Sequence, residues 1–390
     1  MSSLPAALVP PSHAPELDGI RGLAIAMVLL FHYGHGFVVV EPGSVLAYAL
    51  VPLRIMWAGV DLFFVLSGFL ICGILIRERH DPRYFRVFYG RRAMRILPLY
   101  GLLLGLFCAG IAAQRTGLID WPMLFGRTEG MAWHLVFGQN FHQAFGVGQI
   151  HFLSVSWSLA VEEQMYLLLP LLVYICRRHL RLLGLSFVLL LVSAALLRAW
   201  IEASVSADDA ERWCYVLPFT RWDAFGMGGL LALALHLGKL KADRRWRGAG
   251  WLALCGGLAG MAVVAHGAHL GQQRFVPIVL AFGGLLCLSL VLHEQQLLRR
   301  LLRLRPLRWL GDVSYGIYLW HIPVLGLLLV WAGRPTQDLI SEKPRWITLL
   351  ALLLTLVLSW ASYRWLESPL LRWGRRRWQY GRAALSPARS

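Results

Sequence analysis

The chain has 390 residues, 57% of them hydrophobic and only 15% charged, with 17 tryptophans and a mean hydropathy of +0.57. A soluble protein carries about 25% charged residues, so this composition excludes a soluble globular domain and predicts an all-α, polytopic integral membrane bundle. The formal net charge of +17 raises nucleic acid as a partner, which the placement of that charge then excludes.

Ten apolar runs follow one another, at about 20–40, 55–76, 96–113, 159–176, 182–200, 214–237, 249–267, 275–293, 309–332 and 346–366. Each suits one membrane-spanning helix. Of the 38 Lys and Arg, 27 fall in the segments 77–95, 177–183, 237–247, 294–308 and 364–390, against nine in the intervening loops. The positive-inside rule places those basic segments and both termini in the cytoplasm. Topology thus accounts for the charge, and no nucleic acid is expected. The six cysteines are single and scattered, with no Cys-x-x-Cys or Cys/His cluster, so no metal site is expected.

The first run reads ELDGIRGLAIAMVLLFHYGHG over 16–36. Arg21 stands near its start and His32 well inside. Eleven residues at about 100° each make three turns plus roughly 20°, so both project from one face, about 16 Å apart along the axis. His35 falls about 60° off that line. An imidazole near mid-bilayer is costly and marks function. The plainer alternative is a helix–helix hydrogen bond for His32, with Arg21 snorkelling to headgroups.

The second run contains GVDLFFVLSGFLICG. Gly59, Ser67, Gly68 and Gly73 predict close helix packing, whereas Asp61 is an intramembrane carboxylate and a site candidate. The following basic loop ends in FYGRRAMRILPLY. Arg92 and Arg95, three apart, are neighbours on a helix, and guanidinium forks suit phosphate. Residues 114–158 form one long outer loop, expected to be functional and to lie on the membrane through its aromatics.

The fourth run opens SVSWSLAVEEQMYLLLP. Ser158 can cap it, and the helix dipole favours an anion in the first turns. That explains one of Glu162 and Glu163 but not both, and either is able to orient a histidine or serve as a base. Further on, FTRWDAFGMGGLLA offers Arg221 and Asp223 as an ion pair, and GDVSYGIYLWHIPV spaces Tyr315, Tyr318 and His321 at i, i+3 and i+6 before a kink at Pro323. Tyrosines so placed are commonly interfacial anchors. The basic tail, residues 371–390, is expected to rest on anionic lipid.

Together these stretches resemble the acyltransferase 3 family of integral membrane O-acyltransferases. The resemblance is carried, in the family's order, by LDGIRGLA with Arg21-x10-His32, GVDLFFVLSGFLI, YGRRAMRILPLY, WSLAVEEQMYLLLP, RWDAFGMGGLLA and SYGIYLWHIPV. It implies one membrane acyltransferase domain over 1–370, multi-pass in a bacterial cytoplasmic membrane and without a bound cofactor. The implied reaction moves an acyl group, usually acetyl, from cytosolic acyl-CoA to a hydroxyl of a cell-surface or periplasmic carbohydrate or lipid-linked glycan. Arg21 and His32 would be the family's Arg-x10-His pair, and Arg92 and Arg95 its cytoplasmic RxxR. In the combined reading the arginines hold the phosphates of CoA. His32 is a general base or carries the acyl group briefly. A carboxylate orients it, with Glu162 preferred to Glu163 and Asp61 a further catalytic candidate. Arg221, Asp223, Tyr315, His321 and Trp157 stand on the acceptor side or in support. Some family members carry an extra extracellular esterase-like domain; a relay of that kind here is expected to need a separate periplasmic partner. The alternative is a flippase or proton-coupled exporter that uses the same buried groups without acyl chemistry.

Overall fold

The ten apolar runs all become helices in the structure, a computed structural model that describes residues 14–34, 51–146, 151–266, 271–293, 295–334 and 344–381. They are α1 (Pro15–Gly34), α2 (Gly59–Arg77), α3 (Tyr84–Arg115), α4 (Trp157–Ile175), α5 (Leu180–Ser204), α6 (Trp222–His236), α7 (Arg244–Ala265), α8 (Phe275–Val291), α9 (Ser314–Trp331) and α10 (Arg345–Ser362). Among the described residues there is no strand, and nine helices are long and apolar enough to cross a membrane. The remaining run, α6, has only 15 residues. His35 lies outside the described residues.

The loops gather into two sets, as the alternation of charge requires. Arg79, after α2, donates to the carbonyl of Arg177, after α4, and meets His236 at the end of α6. At the other end, Asn140 reaches the carbonyl of Val216, Arg274 pairs with Glu211, and Gln272 donates its backbone N–H to Glu202.

Small residues let the central helices touch. A Cβ on Gly68 of α2 would lie 2.4 Å from the Phe225 carbonyl oxygen of α6, and one on Gly228 would lie 2.1 Å from that of Val65. Only glycine permits this approach. Gly73, expected to do the same, faces open space. The outer surface is apolar. Along α5, Leu182, Leu185, Leu189, Val192, Leu196 and Trp200 recur every three or four residues and are all exposed, which is the stripe a lipid-facing helix presents.

Two peripheral segments make contacts that the sequence did not predict. The described part of the 114–158 segment folds into three short α-helices, Pro122–Phe125, Met131–Leu135 and Gln139–Phe145, and a 3₁₀ helix, His151–Ser156, fastened to the bundle by polar contacts. Tyr100 of α3 donates to the His134 carbonyl, and Asn140 and Gln164 of α4 exchange hydrogen bonds. Burial pushes the His134 imidazole below its ordinary range, only partly offset by its hydrogen bond to the Gly130 carbonyl. The tail, as far as Gly381, turns back onto the start of α3. Arg91 donates to the Trp378 carbonyl and stacks over Tyr380, and the Gly381 N–H reaches Asp81. Residues 382–390 lie outside the described residues.

Candidate active site

Arg21 and His32 share a face of α1, and that face looks onto two chambers placed one after the other. Arg21 lines a chamber of about 270 Å³ together with Arg92 and Arg95 of α3. His32 lines a second one, of about 550 Å³. We refer to them as the arginine and histidine chambers.

In the arginine chamber three cations from two helices converge. Arg21 pairs with Asp18, one turn back, at 2.9 Å. The Arg92 guanidinium lies 5.3 Å from the Tyr166 ring and 5.8 Å from the Phe88 ring, a cation–π seat. Neither Arg92 nor Arg95 forms a carboxylate ion pair among the described residues. Glu162 of α4 is the acidic group in the chamber, and it accepts hydrogen bonds from the Ser67 and Tyr166 hydroxyls. Ser67 is therefore a donor to the site and not the packing residue its neighbours suggested. Glu163 lines neither chamber, and its Oε1 is buried without a hydrogen-bond partner among the described residues. Tyr315 also lines this chamber and donates to the Ile96 carbonyl of α3, so it is no interfacial anchor.

One acidic residue beside this chamber escaped the sequence reading. After α10 the helix widens for one π turn, Tyr363–Glu367, before continuing as Ser368–Arg377. Such turns are rare and frequent at functional sites. This one tucks Glu367 inward, hydrogen-bonded to Ser362 at 3.3 Å and within electrostatic reach of Arg95. The only sequence signal is a Glu amid Trp, Leu and Pro just past the last apolar run.

The histidine chamber is differently built. His32 Nδ1 stands 3.1 Å from the Val28 carbonyl. A carbonyl only accepts, so Nδ1 carries the hydrogen and, in the neutral ring, Nε2 holds the lone pair. The His321 ring of α9 stands 5.0 Å away, fully buried, with Nδ1 donated to the Tyr318 carbonyl at 2.8 Å. Its Nε2 is buried and has no hydrogen-bond partner among the described residues. Trp57, Trp157 and Tyr215 form aromatic walls, and Glu211 and Arg274, paired at 3.0 Å, add charge. Sequence reasoning missed Trp57 and Tyr215, which fall at the starts of apolar runs and look like ordinary membrane residues, and Glu211 and Arg274, which in loops look like ordinary solvated positions.

Val60 of α2 and Tyr318 of α9 line both chambers and form the wall between them. The Tyr318 hydroxyl donates to the Val155 carbonyl at 2.7 Å and accepts from Ser158 at 2.5 Å. The expected pairing of Glu162 or Glu163 with His32 does not form: Glu162 and His32 stand on opposite sides of that wall, and Glu163 lines neither chamber.

A second expected pairing is replaced. Arg221 bonds Asp61 at 2.6 Å, and Asp223 bonds Arg198 of α5 at 2.7 Å; all four side chains are buried. The cause is helix direction. Position 221 ends a short 3₁₀ turn before α6, which leaves its side chain facing α2, while Asp223 inside α6 faces α5. Both guanidiniums lie on the Phe275 ring, at 4.3 and 5.4 Å. Asp61 lines neither chamber; its carboxylate ties α2 to the start of α6.

The site therefore belongs to a polytopic helical bundle whose interior carries two charged chambers divided by a thin wall. The family model described as an acyltransferase domain, acyltransferase 3, matches residues 15–364, and the chain belongs to that family. Among its relatives, YrhL of Bacillus subtilis is 29% identical over 401 residues, covering 92% of this chain and 55% of its own length. The peptidoglycan O-acetyltransferase OatA of Listeria monocytogenes is 24% identical over 385 residues, covering 93% and 56%. The O-acetyltransferase OatA of Staphylococcus aureus is 26% identical over 382 residues, covering 93% and 58%. The chain thus spans little more than half the length of these relatives. No solved structure matches it.

Proposed function

We propose that this protein transfers an acyl group, acetyl in the simplest case, from acyl-CoA to a hydroxyl of a cell-wall or other surface glycan. The observation that carries the reading is the pair of chambers meeting at one thin wall, with three arginines in one and His32 in the other. Phosphates of CoA seat against Arg21, Arg92 and Arg95, since planar guanidiniums offer paired donors to phosphate oxygens. The thin pantetheine arm then carries the thioester to the wall. On the other side, the apolar face of a sugar ring packs on Trp57, Trp157 and Tyr215. The names of the relatives support a peptidoglycan-like acceptor and an acetyl group.

The chemistry needs a base at the acceptor hydroxyl, and His32 Nε2 supplies it. The hydroxyl oxygen attacks the thioester carbonyl as its proton moves to Nε2. The C–S bond then breaks, and the proton returns to the departing thiolate. Glu162 balances the arginine field and fixes the Ser67 and Tyr166 hydroxyls around the donor arm. The basic loops face the cytoplasm of a bacterial cell, and the histidine chamber faces outward.

The test uses protein reconstituted in vesicles of known orientation, with radiolabelled acetyl-CoA on one side and a soluble glycan on the other. Label should enter the glycan only when the donor is on the side of the basic loops. Glycan movement without label would instead support an exporter and sink the proposal. In the same assay, Arg92→Ala and Arg95→Ala should each raise the KM for acyl-CoA and leave that for the glycan nearly unchanged. Each removes charge-assisted bonds worth about 1.5–3 kcal/mol. Unchanged donor kinetics in both variants would return them to ordinary loop charge.

A further inference from the structure

We propose that Val60, which with Tyr318 lines both chambers, sets the length of acyl chain this protein can transfer. The inference rests on the acyl-transfer reading above and adds a specificity determinant to it. If the phosphates lie on the arginines and the base lies beyond the wall, the thioester carbonyl must sit at the wall itself. The acyl tail then packs on the residues that make it. Val60 is the aliphatic one, about one helical turn from Phe63 and Phe64, which line the arginine chamber.

A wall discriminates by size only if it is stiff, and both its sides are pinned. Gly59, immediately before Val60, is jammed against α1: a Cβ there would lie 2.6 Å from the Ala24 carbonyl oxygen and 2.9 Å from Met27. The Val60 backbone therefore has no room to move toward α1. Val60 itself is only 7% exposed. Opposite, the Tyr318 ring is fixed through its hydroxyl by Val155 and Ser158 and packs edge-on near Phe63, at 6.5 Å between ring centres. Close-packed interiors yield little to an extra methylene.

The experiment compares acetyl-, butyryl- and hexanoyl-CoA as donors in reconstituted vesicles with one glycan acceptor. Val60→Ala should raise the butyryl-to-acetyl ratio of kcat/KM by about tenfold or more, the discrimination one or two methylenes give in an apolar pocket. Val60→Ile should lower that ratio, and Val60→Phe should lower acetyl transfer as well. Should the Phe variant fail to fold, Ala and Ile still order the three side chains by size. A ratio that stays within twofold in Val60→Ala and Val60→Ile, while acetyl transfer persists, overturns the assignment of chain length to Val60. An unaltered protein that transfers no acyl group from any of the three donors overturns the acyl-transfer reading, and this inference with it.

Discussion

Replacing His32 with glutamine should leave the protein folded and inserted but lower acyl transfer by about two to four orders of magnitude, the usual worth of a positioned general base. Glutamine keeps a side-chain amide that can donate to the Val28 carbonyl, as His32 Nδ1 does now at 3.1 Å. It has no lone-pair nitrogen to take a proton. Alanine at the same position should cost a similar factor in rate and add some loss of packing. If His32 only braces α1 against α9, the order reverses, because the hydrogen-bonding glutamine would preserve function and alanine would not. Turnover by the purified glutamine variant separates the two. Near-normal rates there would move the base role to another group, with His321 the first candidate because its ring stands 5.0 Å away and its Nε2 has no partner among the described residues.

Asp61→Val should be the most destabilising single change in the bundle core, costing about 3–5 kcal/mol, because it strands the buried Arg221 guanidinium. The two groups are 2.6 Å apart, with side-chain exposures of 2% and 1%. Valine is close to a carboxylate in shape, so packing suffers little and the loss is chiefly electrostatic. The double variant Asp61→Val, Arg221→Met removes both charges and should recover most of the lost stability, since apolar replacement of a buried pair is often neutral. Thermal unfolding in detergent reads the stability, and acyl transfer by the double variant reads the role. A double variant that folds and works confirms Asp61 as a tie between α2 and the start of α6. One that folds but transfers nothing would restore Asp61 to the catalytic candidates.

The helices were legible because lipid demands a long apolar run for each, and the runs at 20–40 through 346–366 correspond one for one to α1–α10. The arginine chamber was legible as well. Charge in a membrane chain is sparse, so Arg21, Arg92 and Arg95 stood out before their meeting was visible. Pairing partners were not. Whether Arg221 takes Asp223, two residues on, or Asp61, on another helix, depends on the rotation of α6 against α2, and that is set by the contact of Gly68 and Gly228. Position relative to the wall was equally hidden. Glu162 and His32 look like partners by depth alone, yet Val60 and Tyr318 divide them. Glu367 was missed because a π turn shifts the facing of every residue after it, and an apolar run gives no sign of such a turn.

Two polar cavities lying end to end in a bilayer are, in electrical terms, nearly a wire. Moving one elementary charge through 100 mV releases about 2.3 kcal/mol, so a continuous file of water from one chamber to the other would drain the membrane potential that a living cell maintains. Val60 offers nothing for water to bond, and the Tyr318 hydroxyl already has its donor and acceptor partners in Val155 and Ser158. With no thioester seated at the wall, a proton hop through that ring has no next step. The wall is then also the insulator, and vesicles loaded with a pH-sensitive dye should hold a proton gradient as well with this protein as without it.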